Sequence, residues 1–211
     1  MKSKVVLLFV TLLANCMLFA QDSPRKDYIW KYQGKDKEHT IGLFAGLNGG
    51  YNELLGKSAT LIGYKAGVVF DRHWAVGFGG QALNFDHSLN ELVQDGTYRL
   101  EGGYSGMFVE YLVPMGRNFK AGISILSGMG VAQYRYTKDF AENRPWYQEI
   151  IDTETFAVFE PSVDFQARIA GKWWIGVYGS YRNTSPIKLM GTDENFLNTF
   201  NAGVSLTYGV F

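Results

Sequence analysis

The chain has 211 residues, 46% of them hydrophobic and 16% aromatic, with 25 glycines and 20 basic against 20 acidic side chains. A balanced charge argues against nucleic acid as a partner. Beyond the first twenty or so residues no run approaches the ~18 apolar residues of a membrane-spanning helix, and the single cysteine, Cys16, excludes a disulfide framework.

The chain opens with MKSKVVLLFVTLLANCMLFAQD. Lys2 and Lys4 make a basic start, Val5 to Leu13 an apolar core, and Ala20 a small residue before a cut at Gln21. Residues 1–20 are therefore expected to be a secretory signal peptide, removed after export. Cys16 follows Asn15 and precedes Met17-Leu18-Phe19, which is not a lipid-attachment context, so it is expected to leave with the leader. Loss of Lys2 and Lys4 then leaves 18 basic against 20 acidic groups.

Residues 21–38 (QDSPRKDYIWKYQGKDKE) are polar and charged and read as a periplasmic N-terminal tail. From Thr40 onward eight segments alternate with period two, the signature of strands with one oily and one polar face. The outward faces are expected at Ile41/Leu43/Ala45/Leu47, then Ile62/Tyr64/Ala66/Val68/Phe70, then Trp74/Val76/Phe78. Next come Met107/Val109/Tyr111/Val113, Ala121/Ile123/Ile125 and Phe159/Val163/Phe165/Ala167/Ile169. Trp173/Ile175/Val177/Tyr181 and Phe200/Ala202/Val204/Leu206/Tyr208/Val210 complete the set. In the fourth segment this phase turns Phe108 and Leu112 inward along with Glu110. An unpaired carboxylate facing lipid is the costlier alternative. Pro161, which cannot donate to a ladder, suggests a bulge near the rim of the sixth segment.

The connections sort by length. Asp71-Arg72-His73, Pro114 to Asn118 and Ala170 to Lys172 read as tight turns. Gly49 to Ser58, Asp86 to Thr97, Thr137 to Glu154 and Thr184 to Asn198 read as long polar loops. Short turns at one end and long loops at the other are the rule for outer-membrane barrels. The expectation is an all-β fold: an eight-stranded antiparallel transmembrane β-barrel over 39–211, with short periplasmic turns, long extracellular loops and both termini on the periplasmic side.

Inward parity collects charge. Glu160, Ser162, Asp164, Gln166 and Arg168 share one face of the sixth segment; Lys65, Glu110, Lys120 and Arg182 take the same side elsewhere. An eight-stranded barrel is only wide enough for side chains to fill it. Buried ions must pair there, so these seven charges are expected to plug the lumen. Arg168 is expected to pair with a carboxylate on a neighbouring strand or diagonally with Asp164, while Lys65 and Arg182 compete for the others. Trp74, Tyr111, Trp173 and Tyr208 lie near strand ends and fit an aromatic girdle at headgroup level.

The chain resembles the small eight-stranded outer-membrane barrels of the OmpA/OmpX/OmpW-like group, and more closely the PorT-like barrels of Bacteroidetes-type bacteria. The residues behind this are Gly63-Tyr64 with Gly67, Glu101-Gly102-Gly103-Tyr104, Glu110-Tyr111, and Gly128 with Gly130. Phe159-Glu160-Pro161, Lys172-Trp173-Trp174, Tyr181-Arg182 and Tyr208-Gly209-Val210-Phe211 add to them. The resemblance implies a cell outer-membrane location in a Gram-negative envelope, contact with outer-membrane lipid and lipopolysaccharide, and delivery to the barrel-assembly machinery through the last strand ending at Phe211. It names no reaction. Terminal signals of that group carry an aromatic two residues before the final Phe; here Gly209 stands there and Tyr208 is one place further back.

Two readings of function follow. One is a structural or interaction barrel without catalysis, its partner protein met at the extracellular loops, where Arg144, Trp146 and Tyr147 are residue types common at interface hot spots. The other is a narrow pore or small-ligand path. A lipid-modifying enzyme is a third: His87-Ser88-Leu89-Asn90 comes nearest to the deacylase pattern, but its serine is displaced by one, onto the opposite face of an extended strand. No catalytic set, cofactor site or metal spacing is read, since three isolated histidines make no recognisable ligand group.

Overall fold

A strand leaves a row of N–H and C=O groups open on each edge, so eight strands with an apolar face reach a stable state most economically by closing on themselves. The computed structural model describes residues 28–34, 38–54, 57–86, 96–138, 148–189 and 192–211. Within them the chain forms β1 (Trp30–Gln33), β2 (Glu38–Leu54), β3 (Lys57–Phe70), β4 (Trp74–Asp86), β5 (Gly96–Met115), β6 (Phe119–Lys138), β7 (Gln148–Ala170), β8 (Trp173–Thr184) and β9 (Thr199–Gly209). Each strand pairs antiparallel with the next, and β2 also pairs with β9. Strands β2 to β9 are thus a closed eight-stranded ring.

Following Cα partners once around the ring from Ile41 leads through Phe70, Trp74, Tyr111, Ile123, Val163, Gly179 and Ala202 to Tyr51, ten residues further along β2. That stagger is the shear that makes the strands tilt, by roughly 35–45° in barrels of this kind. Tight turns close one end. Asp71 and Arg72 both adopt left-handed backbone (φ 51° and 62°), as do Gly116 (φ 76°) and Gly171 (φ 57°) in the other two turns.

Outward parity follows the expected faces on the eight strands, apart from Val210 after the end of β9. Leu43, Leu47, Ile62, Phe78, Met107, Val109, Ile123, Ile125, Val163, Phe165, Val177 and Val204 are exposed, whereas Phe108, Glu110 and Leu112 are buried. Among the described residues no helix is long and apolar enough to cross a membrane; the apolar surface lies on strands.

Several expectations are corrected. Trp30–Gln33, read as part of a tail, is a strand on the lower edge of β2, below the point where β9 ends. Gly49 to Ser58 is not a long loop: β2 runs to Leu54 and β3 starts at Lys57. Gly50 and Asn52 face the narrow barrel interior and Gly49 and Tyr51 the outer wall, with Asn52 Nδ2 donating to Asn201 Oδ1 (2.9 Å) and Tyr51 bonded to Ser58 (2.9 Å). The two middle connections also shorten, because β4 and β5 reach Asp86 and Gly96, and β6 and β7 reach Lys138 and Gln148. The strands therefore overshoot a ten-residue membrane crossing, by most in the 23-residue β7. Pro161 makes no rim bulge. It faces Ile125 in an unbroken β6–β7 register, and the β7–β8 ladder omits Glu160 and Pro161 with no register shift. The bulges fall at Tyr134/Arg135 and Arg168/Ala170 instead. Val210 is not on the outer face: β9 ends at Gly209, and Val210 is buried, its N–H on the Leu43 carbonyl (2.9 Å).

Candidate functional site

The barrel interior is the part of the molecule where titratable groups converge, and it is built in three tiers. At the turn end Phe44, Val69, Ala75, Phe108 and Leu112 form an apolar cluster, with Leu126 and Phe211 packed on it. The Phe211 ring sits 5.2 Å from Phe44 and 5.5 Å from Trp174. At the other end Leu54, Leu61, Leu83, Leu100, Tyr134 and Phe156 form a second cluster. Ile187, Leu189, Phe196 and Leu197, all from the β8–β9 connection, drop into it. That connection is fastened by Arg182 Nε on the Leu197 carbonyl (2.9 Å), by Thr184 N–H on Asn198 Oδ1 (2.7 Å) and by Ser185 N–H on the Ala157 carbonyl (3.0 Å).

Between the two apolar stoppers lies a polar belt with two charged nodes. In the node nearer the turns, Lys65 Nζ is 2.9 Å from Glu110 Oε2 and donates to Ser124 Oγ (3.4 Å), which is bonded to Ser162 (2.6 Å). Gln166 Nε2 donates to Asp164 Oδ2 (2.7 Å). Glu110 and Asp164 crowd the space beside Gly122 that a side chain there would fill, so that position admits no Cβ without displacing a carboxylate. Lys120 lies over the Trp174 and Phe211 rings, and the Arg168 guanidinium lies 4.6 Å from the Trp174 ring centre. These are cation–π placements.

The second node is centred on Glu160. Its carboxylate accepts from Tyr104 OH, Ser180 Oγ, Asn201 Nδ2 (3.4 Å) and Gln81 Nε2 (3.5 Å). Arg182, fully buried, stacks 5.6 Å from the Tyr104 ring centre and turns its Nε toward the β8–β9 connection.

All seven charges expected in the lumen are placed there, and the structure divides them. Lys65, Glu110, Asp164, Lys120 and Arg168 gather in one node, Glu160 and Arg182 in the other. Arg168 is placed against Trp174, and Arg182 engages a backbone carbonyl and an aromatic ring. Sequence reasoning missed Tyr104, Gln81, Ser180 and Asn201 as partners of Glu160. Their inward parity was readable, but charge alone drew attention. It also missed the β8–β9 stopper, whose signal was Ile187-x-Leu189 and Phe196-Leu197 inside an otherwise polar connection.

Trp74 and Tyr111 stack edge-on at 5.0 Å, and Trp173 and Tyr208 do the same at 5.0 Å, both pairs on the exterior at the turn end. Also at that end, His39 Nδ1 at the start of β2 is 2.9 Å from Oδ2 of the turn residue Asp71, and the Thr40 N–H donates to Asp71 Oδ1 (3.0 Å). These two bonds hold the Asp71 carboxyl below the usual aspartate range. Arg144, Trp146, Tyr147, the His87–Asn90 segment and the leader 1–20 lie outside the described residues.

An internal cavity of about 80 Å³ runs through the polar belt, lined among others by Asn48, Lys65, Glu110, Lys120, Tyr178 and Ser205. Its walls mix these polar groups with apolar side chains such as Phe44, Phe108 and Leu126, and its size suits a handful of water molecules. It reaches into the turn-end cluster at Phe44, Phe108 and Phe211, and the second apolar cluster lies toward the other end.

Closed ring, oily exterior, charged and stoppered interior: these define a small β-barrel of the transmembrane type. No protein-family model and no curated protein matches the sequence. Among solved structures the chain is similar to Neisserial surface protein A (10% identity, 82% of this chain and 99% of that one, TM-score 0.44). It is also similar to Yersinia pestis Ail in complex with the heparin analogue sucrose octasulfate (10%, 80% and 96%, 0.41). The N-terminal β-barrel domain of Pseudomonas aeruginosa OprF is a third (10%, 79% and 96%, 0.41).

Proposed function

We propose that this protein is a non-catalytic outer-membrane barrel with a sealed lumen, whose role is structural or is exerted through the connections at its far end. The observation that carries this reading is the pairing of a continuous apolar exterior with an interior stoppered at both ends around a charged belt. A pore would need a polar path from end to end. Here Phe44, Phe108 and Phe211 stand below the belt, and Phe156, Ile187 and Phe196 stand above it. The seven lumen charges act as the plug, and Trp74, Tyr111, Trp173 and Tyr208 act as the girdle at the turn end.

In this reading residues 1–20 direct export, the turn end faces the periplasm, and the long connections face outward among lipopolysaccharide. Arg144, Trp146 and Tyr147 are the residues offered to a protein partner. The barrel-assembly machinery engages β9, whose outward row Phe200, Ala202, Val204, Leu206 and Tyr208 is exposed. The closer likeness to PorT-like barrels rests on the sequence motifs alone.

The test is a planar-bilayer recording of the refolded chain. Silence apart from rare brief events is expected. A steady conductance from the unmodified chain would overturn the sealed-lumen reading.

A further inference from the structure

Strand β1 carries a surface that the barrel itself does not use. Directly opposed residues of an antiparallel pair project on the same face. Trp30 is opposed to Ile41, Ile41 to Phe70, Phe70 to Trp74, and Trp74 to Tyr111. One unbroken row of large side chains therefore runs from β1 onto the barrel exterior. Tyr32, opposed to His39, lies on the same face two residues nearer the turns. Trp30 is 67% exposed and Tyr32 63%, more than Trp74 at 54%. Amphipathic rings so exposed to water are at odds with a soluble tail and suit the headgroup level of a bilayer.

Charge at this end points the same way. Each of the three short turns carries one exposed cation: Arg72, Arg117 and Lys172. Among the described residues, Asp71 is engaged by His39 and the Thr40 N–H, and Glu38 by Lys31 at 2.6 Å. Cations free to reach phosphate, set just beyond a belt of aromatic rings, match the layered chemistry of a phospholipid leaflet.

We propose that the turn end is a docking collar for glycerophospholipid headgroups, and that β1 extends this collar past the barrel wall, with Trp30 and Tyr32 seated in the interface and the turn cations on phosphate. The proposal rests on the lipid-facing reading of the barrel exterior. The rival occupant, an added peptide strand, would use the free backbone edge of β1. The rings lie instead on the face that continues the apolar wall, which favours lipid.

The test uses the full chain refolded into phosphatidylglycerol-containing vesicles, in two single-tryptophan forms that keep only Trp30 or only Trp74, the other tryptophans replaced by Phe. Bromines are placed either near the headgroup end or near the methyl end of the acyl chains. Both tryptophans are expected to be quenched more strongly by the shallow bromines. Quenching of Trp74 with none of Trp30 would remove the collar and leave the barrel reading standing. Quenching of neither would remove both. If a single-tryptophan form does not refold, the contrast is read as the part of the shallow quenching of the unmodified chain that disappears in Trp30→Phe. No change there would overturn the proposal.

Discussion

The two nodes of the lumen hold buried carboxylates by different means. Glu110 is held by an opposite charge: Lys65 at 2.9 Å, in a neighbourhood that also contains Asp164, Lys120 and Arg168. Glu160 is held by neutral donors from four strands, Tyr104, Gln81, Ser180 and Asn201. A charge pair concentrates its stabilisation in one partner, so losing that partner strands the other ion. A cage of dipoles spreads it, so losing one donor costs only that bond and its desolvation. A narrow barrel can be filled by either device, but the two should fail differently.

The largest expected effect therefore falls on Lys65. Glu110 keeps only 3% side-chain exposure, while Lys65 keeps 30%. Lys65→Met should destabilise the barrel by about 3 kcal/mol, at the low end of the cost of breaking a buried pair, measured by urea unfolding from vesicles. The double variant Lys65→Met/Glu110→Leu should recover much of that loss. Additive losses would show that the pair is not a unit.

Next comes the exterior, where neither device is available. Val204→Arg, at a position 50% exposed on the outer row of β9, should cost about 2 kcal/mol in lipid, the low end of the cost of a cation facing the bilayer midplane. Unchanged stability would mean that this row faces water rather than lipid. A cation tolerated inside and rejected outside is what the parity requires.

The caged carboxylate should respond more mildly. Tyr104→Phe removes one of four donors to Glu160 and should cost about 1–3 kcal/mol. A loss matching that of Lys65→Met would show that Glu160 depends on one dominant partner after all, and would dissolve the contrast between the nodes.

The smallest effect concerns the exposed counterpart of both nodes, the turn carboxylate Asp71. Its folded value is depressed by His39 and the Thr40 N–H. Its contribution is therefore fully present above the ordinary aspartate value of ~3.9 and is lost as pH falls below that toward the folded value. Asp71→Asn should narrow the stability difference between neutral pH and pH below ~3.9. The shift should be slight, because both partners are exposed to solvent.

The eight-strand ring was legible in the sequence because period-two alternation records which side of a strand meets lipid. The phase of β5 followed from placing Glu110 on the dry side least harmful to it, and Glu110 is buried beside Lys65. Strand ends were less legible. Gly49, Gly50 and Asn52 look like turn residues, yet they lie within β2, and Gly50 and Asn52 line an interior where the Tyr178 hydroxyl leaves no room for a Cβ on Gly50. The Trp30/Tyr32 alternation was hidden inside a charged segment, and only its register against β2 reveals it. In the lumen, the seven charges could be assigned to the interior from parity, but not to two nodes. Which groups meet depends on the ten-residue stagger of the ring, a property of closure that no single strand encodes.

That closure also dictates the order in which the molecule can be completed. The bond from Asn52 to Asn201 joins residues 149 apart in sequence, and the β2–β9 seam it belongs to has no counterpart among nearer neighbours. Until β9 exists, the β9-side edge of β2 stays open however well the hairpins between them have formed. Joining ends so distant carries a loop-closure entropy that hairpin-by-hairpin growth does not remove, and topologies dominated by such contacts fold slowly. The seam is thus a late-closing zipper, and a chain arrested before its last eleven-residue strand would hold most of its native pairings while still exposing an edge that can capture another chain.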